Sequence, residues 1–189
     1  DGFNAALETL AKKDATGKPY GQIQGDYPRV TVSISHSFPY ALAAATVSGS
    51  IALGADIERI RDFAPGTWKA FLTPAEEKII ADAPLRRKKY LRTLSWSLKE
   101  SVLKAMGIGL LLHPRRVDVS HILVGKGKSR MSIGIDGAAH TVRAWSSRIG
   151  NEYIATTVAL STARTYYETT DLYRENALYG NSGHHHWHH

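Results

Sequence analysis

"LSWSLKESVLKAMG", residues 94 to 107, is the stretch on which the reading of the fold turns. Leu94, Leu98, Val102 and Met106 recur at helical spacing, and Gly107 is the kind of residue that ends a helix. On that helix Trp96, Glu100 and Lys104 stand at i, i+4 and i+8, about 100° or more around from much of the apolar stripe. A glutamate four residues ahead of a lysine is by itself an ordinary surface pair, worth a few tenths of a kcal/mol, about what any solvated helix carries. Whether this face is a site depends on partners elsewhere in the chain.

Working outward, the helix runs back to Pro84 through "LRRKKYLRTLSWSLKESVLKAM". Before it, "LTPAEEKIIADA" predicts a second helix: Thr73 is the N-cap, Pro74 suits the first position and Glu76 completes a capping box. "RVTVSIS" alternates Val30, Val32 and Ile34 against polar neighbours, the pattern of a strand. "YALAAATV" and "SIALGADIERI" are apolar runs divided by Ser48-Gly49, which predicts a hairpin. In the second run Ile51, Leu53 and Ala55 share one face, and Asp56 and Glu58 the other.

Nearer the start, Phe3, Ala6, Leu7, Leu10 and Ala11 predict an amphipathic helix, and "TGKPYGQ" (16–22) an irregular loop. After residue 107 the pattern turns to short strands: "RVDVSHILV", "RMSIGID", "HTVRAWSS" and "EYIATTVALS". "SISHSFPYALAAATV" is weakly echoed by "RAWSSRIGNEYIATTVAL", which predicts two similar α+β halves joined by the helical middle. The expected divisions are 1–60, 61–165 and a tail, 166–189. The ending "GNSGHHHWHH" reads as an appended tag rather than a metal site.

Composition narrows the function. The chain has 189 residues, 43% hydrophobic and 22% charged, which suits one domain or two intimately packed halves. No segment reads as a membrane span or a signal peptide, and there is no cysteine for disulfides or thiolate metal sites. A cytoplasmic setting is expected. The formal charge of +7 favours anionic partners such as nucleic acid, phosphorylated cofactors or an acidic protein. Helix-turn-helix, zinc-finger and aromatic-platform signatures are absent, so nucleic acid is not expected.

Two motifs outside the helix can carry chemistry. Asp56-x-Glu58 puts two carboxylates on one side of a strand, where they repel unless a cation or a basic residue such as Arg59 or Arg61 lies between them. Mg²⁺ suits such a pair, because it takes one or two carboxylates and completes its shell with water and phosphate oxygens. "SISHS" (33–37) offers hydroxyls and an imidazole, suited to a phosphate or to a hydrogen-bonded turn. "GKGKS" (125–129) lacks the glycine spacing of a phosphate loop and reads as a basic hairpin. "RRKK" (86–89) is a solvated face or a contact for an acidic partner.

Taken together, "GKP" (17–19), "SISHS", "GADIE" (54–58) and "WSLKESVLK" (96–104) resemble, in order, the motifs of 4′-phosphopantetheinyl transferases of the surfactin-synthetase type. "FLTPAE" (71–76) and "GIGL" (107–110) are similar to that family's connecting segments, and the resemblance spans about residues 3 to 160. It implies an α+β pseudo-dimer of two similar halves, acting as a monomer, with an N-terminal part shorter than usual. It also implies transfer of the phosphopantetheine arm of coenzyme A to a serine of an apo acyl or peptidyl carrier protein, releasing 3′,5′-ADP. By motif position Asp56, Glu58 and Glu100 would together hold Mg²⁺. Glu100 would be the base and Lys104 would neutralise the departing phosphate. Ser35, His36, Lys18, Pro19, Lys99 and Lys104 would contact coenzyme A, with Trp96 in support. The stretch 86–92 and Arg115-Arg116 are the expected carrier contacts. The alternative is a catalytically incomplete relative that binds coenzyme A or a carrier.

Overall fold

Residues 10–13, 19–22, 30–64, 66–124 and 130–162 are described by a computed structural model. The two helices form where the sequence places them: α1 spans Pro74–Asp82 and α2 spans Leu85–Met106. Thr73 Oγ1 accepts from the Glu76 amide at 3.3 Å and Glu76 Oε2 from the Thr73 amide at 2.9 Å, the reciprocal capping box. Gly107 ends α2 in the left-handed region at φ 73°, where its amide reaches the carbonyls of Leu103 and Lys104.

Nine strands make two antiparallel sheets among the described residues. The first, in the order β1-β2-β3-β4, comprises Leu10–Lys13, Pro19–Gln22, Val30–Ser37 and Tyr40–Thr46. The second, in the order β5-β9-β8-β7-β6, comprises Ile51–Arg59 (β5), Val117–Asp118 (β6), Arg130–Ile135 (β7), Ala138–Ile149 (β8) and Tyr153–Ser161 (β9). A short helix, α3, covers Ser120–Val124. The architecture is α+β, and no helix among the described residues is long and apolar enough to cross a membrane.

α2 lies on one face of the second sheet, and the core sits between them. Leu98 and Val102 meet Ile133, Val142, Ile154 and Val158, all nearly inaccessible to solvent. Along β5 the even-numbered residues turn to this helix. A Cβ on Gly54 would stand 1.8 Å from the Ser101 carbonyl oxygen and 2.5 Å from the Ala105 amide, so only glycine lets strand and helix approach this closely. Thr156, opposite Asp56 in register, shares its hydroxyl with Ser97 and Ser101 Oγ, each at 2.8 Å. Small and hydroxylated side chains thus make the seam.

The sheets meet where β3 runs beside β5. The Ala55 amide donates to Ser33 Oγ at 2.9 Å, and the Ile57 amide to Ser35 Oγ at 3.4 Å. Serine hydroxyls therefore close part of the β5 edge where a ladder of carbonyls would otherwise stand. This inverts the face expected for β3. Ser33 and Ser35 are buried while Ile34 is 51% exposed, because the strand offers its hydroxyls to a neighbour's amides.

Four further expectations are corrected. Leu10 and Ala11 belong to β1, not a helix, with residues 1–9 outside the described ones. Pro19 opens β2, at a strand's first residue, where its lack of an amide proton is tolerated. Ser48-Gly49 reverses the chain, but β4 and β5 enter different sheets. Hairpins form instead at β3–β4, turning at Phe38-Pro39, at β7–β8 and at β8–β9. "SHILV" is α3 because Asp118 Oδ1 accepts from the Ser120 amide at 2.8 Å and starts a turn.

Gly54→Ala is expected to cost about 3 kcal/mol, since the clashing atoms are backbone. Ser33→Ala should cost about 1–3 kcal/mol by orphaning the buried Ala55 amide. Urea unfolding midpoints measure both.

Candidate active site

The seam places β5 and α2 so that their polar residues face each other. Asp56 is 3% exposed. Its Oδ1 accepts from Lys104 Nζ at 2.7 Å and from Ser35 Oγ at 2.9 Å. Its Oδ2 is buried and accepts no hydrogen bond from the described residues. Lys104 therefore reaches across to the strand, and the surface pair with Glu100 imagined from the spacing gives way to an ion pair between elements. Glu58 Oε1 accepts from Trp96 Nε1 at 3.0 Å, and the indole packs on Phe71 at 5.1 Å between centroids. That is why a tryptophan stands one turn before Glu100.

Glu58 and Glu100 are half-buried, and their carboxyls are both held above the usual range. For Glu58 the causes are burial and then the charge of Asp56, opposed by the Trp96 hydrogen bond, Arg61 and Lys104. For Glu100 they are burial and then Asp56, opposed by Lys104, with Glu58 adding a further push upward. Asp56, Glu58 and Glu100 are therefore close enough to feel one another's charge.

They do not form a ready-made metal shell. Among the described residues no three or more His, Asp or Glu side chains stand in ligating geometry, so the expected joint ligation by Asp56, Glu58 and Glu100 is not seen. The physical reason is that different donors hold them: Ser35 and Lys104 hold Asp56, and Trp96 holds Glu58. The donor chemistry still fits a hard cation. All three offer carboxylate oxygen, Mg²⁺ needs only one or two such ligands, and the buried Asp56 Oδ2 lacks a partner.

The other expected contacts separate. Ser35 is committed to Asp56 and the Ile57 amide, so it orients a carboxylate where a direct phosphate contact was expected. His36 is exposed on the opposite face of β3, since neighbours on a strand point apart. Lys18 lies outside the described residues, as does the side chain of Pro19. The "GKGKS" segment also lies outside them.

Lys99 is corrected outright. Its side chain is fully buried and donates to the carbonyls of Pro114 (3.0 Å) and Val117 (2.5 Å), with Glu76 Oε2 at 3.0 Å. It cannot also reach a cofactor. Glu76 Oε2 also accepts from Ser95 Oγ, and its Oε1 from the Val119 amide at 2.8 Å. One capping carboxylate thereby ties α1, α2 and the 114–119 segment together. Burial pushes the Glu76 carboxyl up and the Lys99 amine down, each opposed by the partner's charge. Sequence reading missed Ser37, which shares parity with Ser33 and Ser35 and lines a cleft with Glu58. The period of two in "SISHS" already contained that signal.

Fold and side chains thus define an α+β protein with clustered oxygen donors and a lysine, chemistry suited to an anion bridged by a hard cation. The chain belongs to the 4′-phosphopantetheinyl transferase superfamily: the family described as "ACPS: 4'-phosphopantetheinyl transferase superfamily" matches residues 52–158, over half of the sequence. No curated protein sequence matches the chain significantly. Among solved structures, it is similar to the crystal structure of Thermotoga maritima holo-[acyl-carrier-protein] synthase (AcpS). The identity is 15% and the TM-score 0.42, over 59% of this chain and 64% of that one. The chain thus spans less than two thirds of that structure's length.

Lys99→Met alone is expected to destabilise the fold by about 3–5 kcal/mol, by leaving the Glu76 carboxylate buried and unpaired. Adding Glu76→Gln should recover part of that loss. A double-mutant cycle in urea measures the coupling.

Proposed function

We propose that this chain is a phosphopantetheinyl transferase of the surfactin-synthetase type. It moves the 4′-phosphopantetheine arm of coenzyme A to a serine hydroxyl of an apo acyl or peptidyl carrier protein and releases 3′,5′-ADP. The observation that carries this reading is Asp56: buried, paired with Lys104 through one oxygen and unpartnered at the other, beside the half-buried Glu58 and Glu100. Membership of the superfamily supports it.

The residues divide the work as follows. Asp56 through Oδ2, with Glu58 or Glu100 beside it, would hold Mg²⁺. When bound, the ion supplies charge neutralisation at the pyrophosphate oxygens. Glu100 takes the proton of the incoming serine, directly or through a water. The serine oxygen bonds to the phosphorus that carries the pantetheine arm, and the bond from that phosphorus to the 3′,5′-ADP oxygen breaks. Lys104 neutralises the charge gathering on the departing phosphate. Ser35 and Trp96 orient Asp56 and Glu58. The same reading makes β3–β4 and β8–β9 counterparts in two duplicated halves, a view supported by their shared strand–turn–strand build.

Mixing the protein with coenzyme A, Mg²⁺ and an apo carrier should add the mass of the arm to the carrier, read by intact mass spectrometry. Glu100→Gln and Asp56→Ala should each abolish the gain while the circular dichroism is kept, and a chelator should do the same reversibly. Near-normal transfer by both variants would overturn the mechanism. Coenzyme A binding without any transfer would indicate a catalytically incomplete relative.

A further inference from the structure

The residues of the site lie in a row with two distinct ends. On α2 the order toward the N-terminus is Lys104, Glu100, Trp96 and then Lys89; on β5 the order toward the strand's end is Asp56, Glu58, Arg59. Lys104 bonds Asp56 and Trp96 bonds Glu58, so the two series are aligned head to tail. At the Glu58 end opens a cleft of about 580 Å³, walled by Ser37, Glu58, Arg59, Arg61, Asp62 and Lys89. Among the described residues, Asp56, Glu100 and Lys104 are not in its walls.

If the transferase reading holds, on which this inference rests, that asymmetry assigns the two ends. In phosphoryl transfer the entering and leaving oxygens lie roughly in line on opposite sides of phosphorus. Lys104 meets the departing phosphate, so the serine enters from the other end, past Glu58. The cleft lies there, and so do two exposed cations, Arg61 and Lys89. Arg61 is exposed, lies over the Phe63 ring at 5.7 Å and faces Glu58 closely enough to affect its carboxyl. Lys89 is 3.9 Å from Asp62 in an exposed pair, the kind that contributes little.

Two of the other expected carrier contacts are held by neighbours. Lys88 Nζ donates to the Ala81 carbonyl at the end of α1, and Arg116 is held in two hydrogen bonds by Asp136. Arg59 is paired with Glu152 at 3.2 Å. Beside the cleft, following Ser37, Phe38 is 92% exposed at the hairpin tip. Its carbonyl accepts from Tyr153 Oη at 2.6 Å, and Tyr153 in turn stacks edge-on against Tyr40 at 4.9 Å, so the aromatic ring is presented from a fixed backbone. An exposed apolar anchor beside cations is the composition of a protein-docking surface.

We propose that this cleft and its Phe38 rim are the docking surface for the acceptor protein. That partner is an acidic domain whose carboxylates pair with Arg61 and Lys89, whose apolar surface covers Phe38, and whose serine points inward past Glu58.

The test combines transfer kinetics with direct binding. An apo acyl carrier protein and coenzyme A are varied separately against the wild type, the Arg61→Glu/Lys89→Glu pair, Phe38→Ala, and the control Arg143→Glu on the exposed face of β8. The paired reversal is expected to raise KM for the carrier about tenfold and leave KM for coenzyme A unchanged, with Arg143→Glu like the wild type. Phe38→Ala should raise the carrier KM as well. Binding is read separately, by fluorescence anisotropy of a labelled carrier whose acceptor serine is replaced by alanine, with no coenzyme A present. If the wild type transfers nothing but binds this carrier, and the reversal abolishes binding, the docking surface stands and the transferase reading falls. If transfer proceeds and the carrier KM is the same in every variant, the docking surface falls alone. A rise confined to KM for coenzyme A would assign the cleft to the nucleotide and overturn the proposal, and neither transfer nor binding by the wild type would overturn both.

Discussion

One buried carboxylate sets the terms for the rest of the molecule. Asp56 is almost completely removed from water, and a charge in that position is tolerated only when its oxygens are satisfied. One oxygen is met by a lysine from α2 and a serine from β3, so the side chain pins three elements at a point. The other accepts no hydrogen bond from the described residues. Gly54 is what lets α2 come close enough for Lys104 to reach, because any side chain there would strike the helix backbone. The serine hydroxyls of β3, which cap amides of β5, bring the first sheet alongside the second.

A second buried charge pair works behind the first. Glu76 and Lys99 are both inaccessible, and beyond the capping bonds with Thr73 their contacts tie α1, α2 and the 114–119 segment together. Replacing such a pair by apolar residues of similar size is often neutral for stability, so its value lies in fixing which way the helix is turned. With Lys99 locked inward, Glu100 and Lys104 face β5, and Trp96 stands where its indole meets Glu58. The side expected to carry two lysines to a cofactor therefore offers one, and the other supports the frame.

What was legible in the sequence follows from the range of the forces involved. The capping box, the Pro84 break and the Gly107 stop are local chemistry, and α1 and α2 appear with those ends. That Asp56 and Glu58 share one side of a strand, and Trp96, Glu100 and Lys104 one side of a helix, could be read from periods of two and four. Which of them bond to which could not. Nor could the burial of Ser33 and Ser35, because alternation assumes that apolar residues turn inward. Here the neighbour is an amide edge that needs acceptors. Lys99 escaped for a related reason: a buried lysine needs a carboxylate, and Glu76 belongs to another helix where its visible role was capping. The "SHILV" segment, apolar enough for a strand, became a helical turn through one side-chain contact from Asp118.

The central claim is that Asp56 links a divalent ion to the binding of coenzyme A. Linkage makes that claim measurable without any transfer reaction, since an ion and a ligand that share a site must each tighten the other. Calorimetric titration of coenzyme A into the wild type and into Asp56→Asn, each with and without Mg²⁺, tests it most directly. The account requires Mg²⁺ to strengthen coenzyme A binding to the wild type and to have no such effect on Asp56→Asn. Equal affinity with and without the ion in the wild type, or an undiminished effect in the variant, would contradict it.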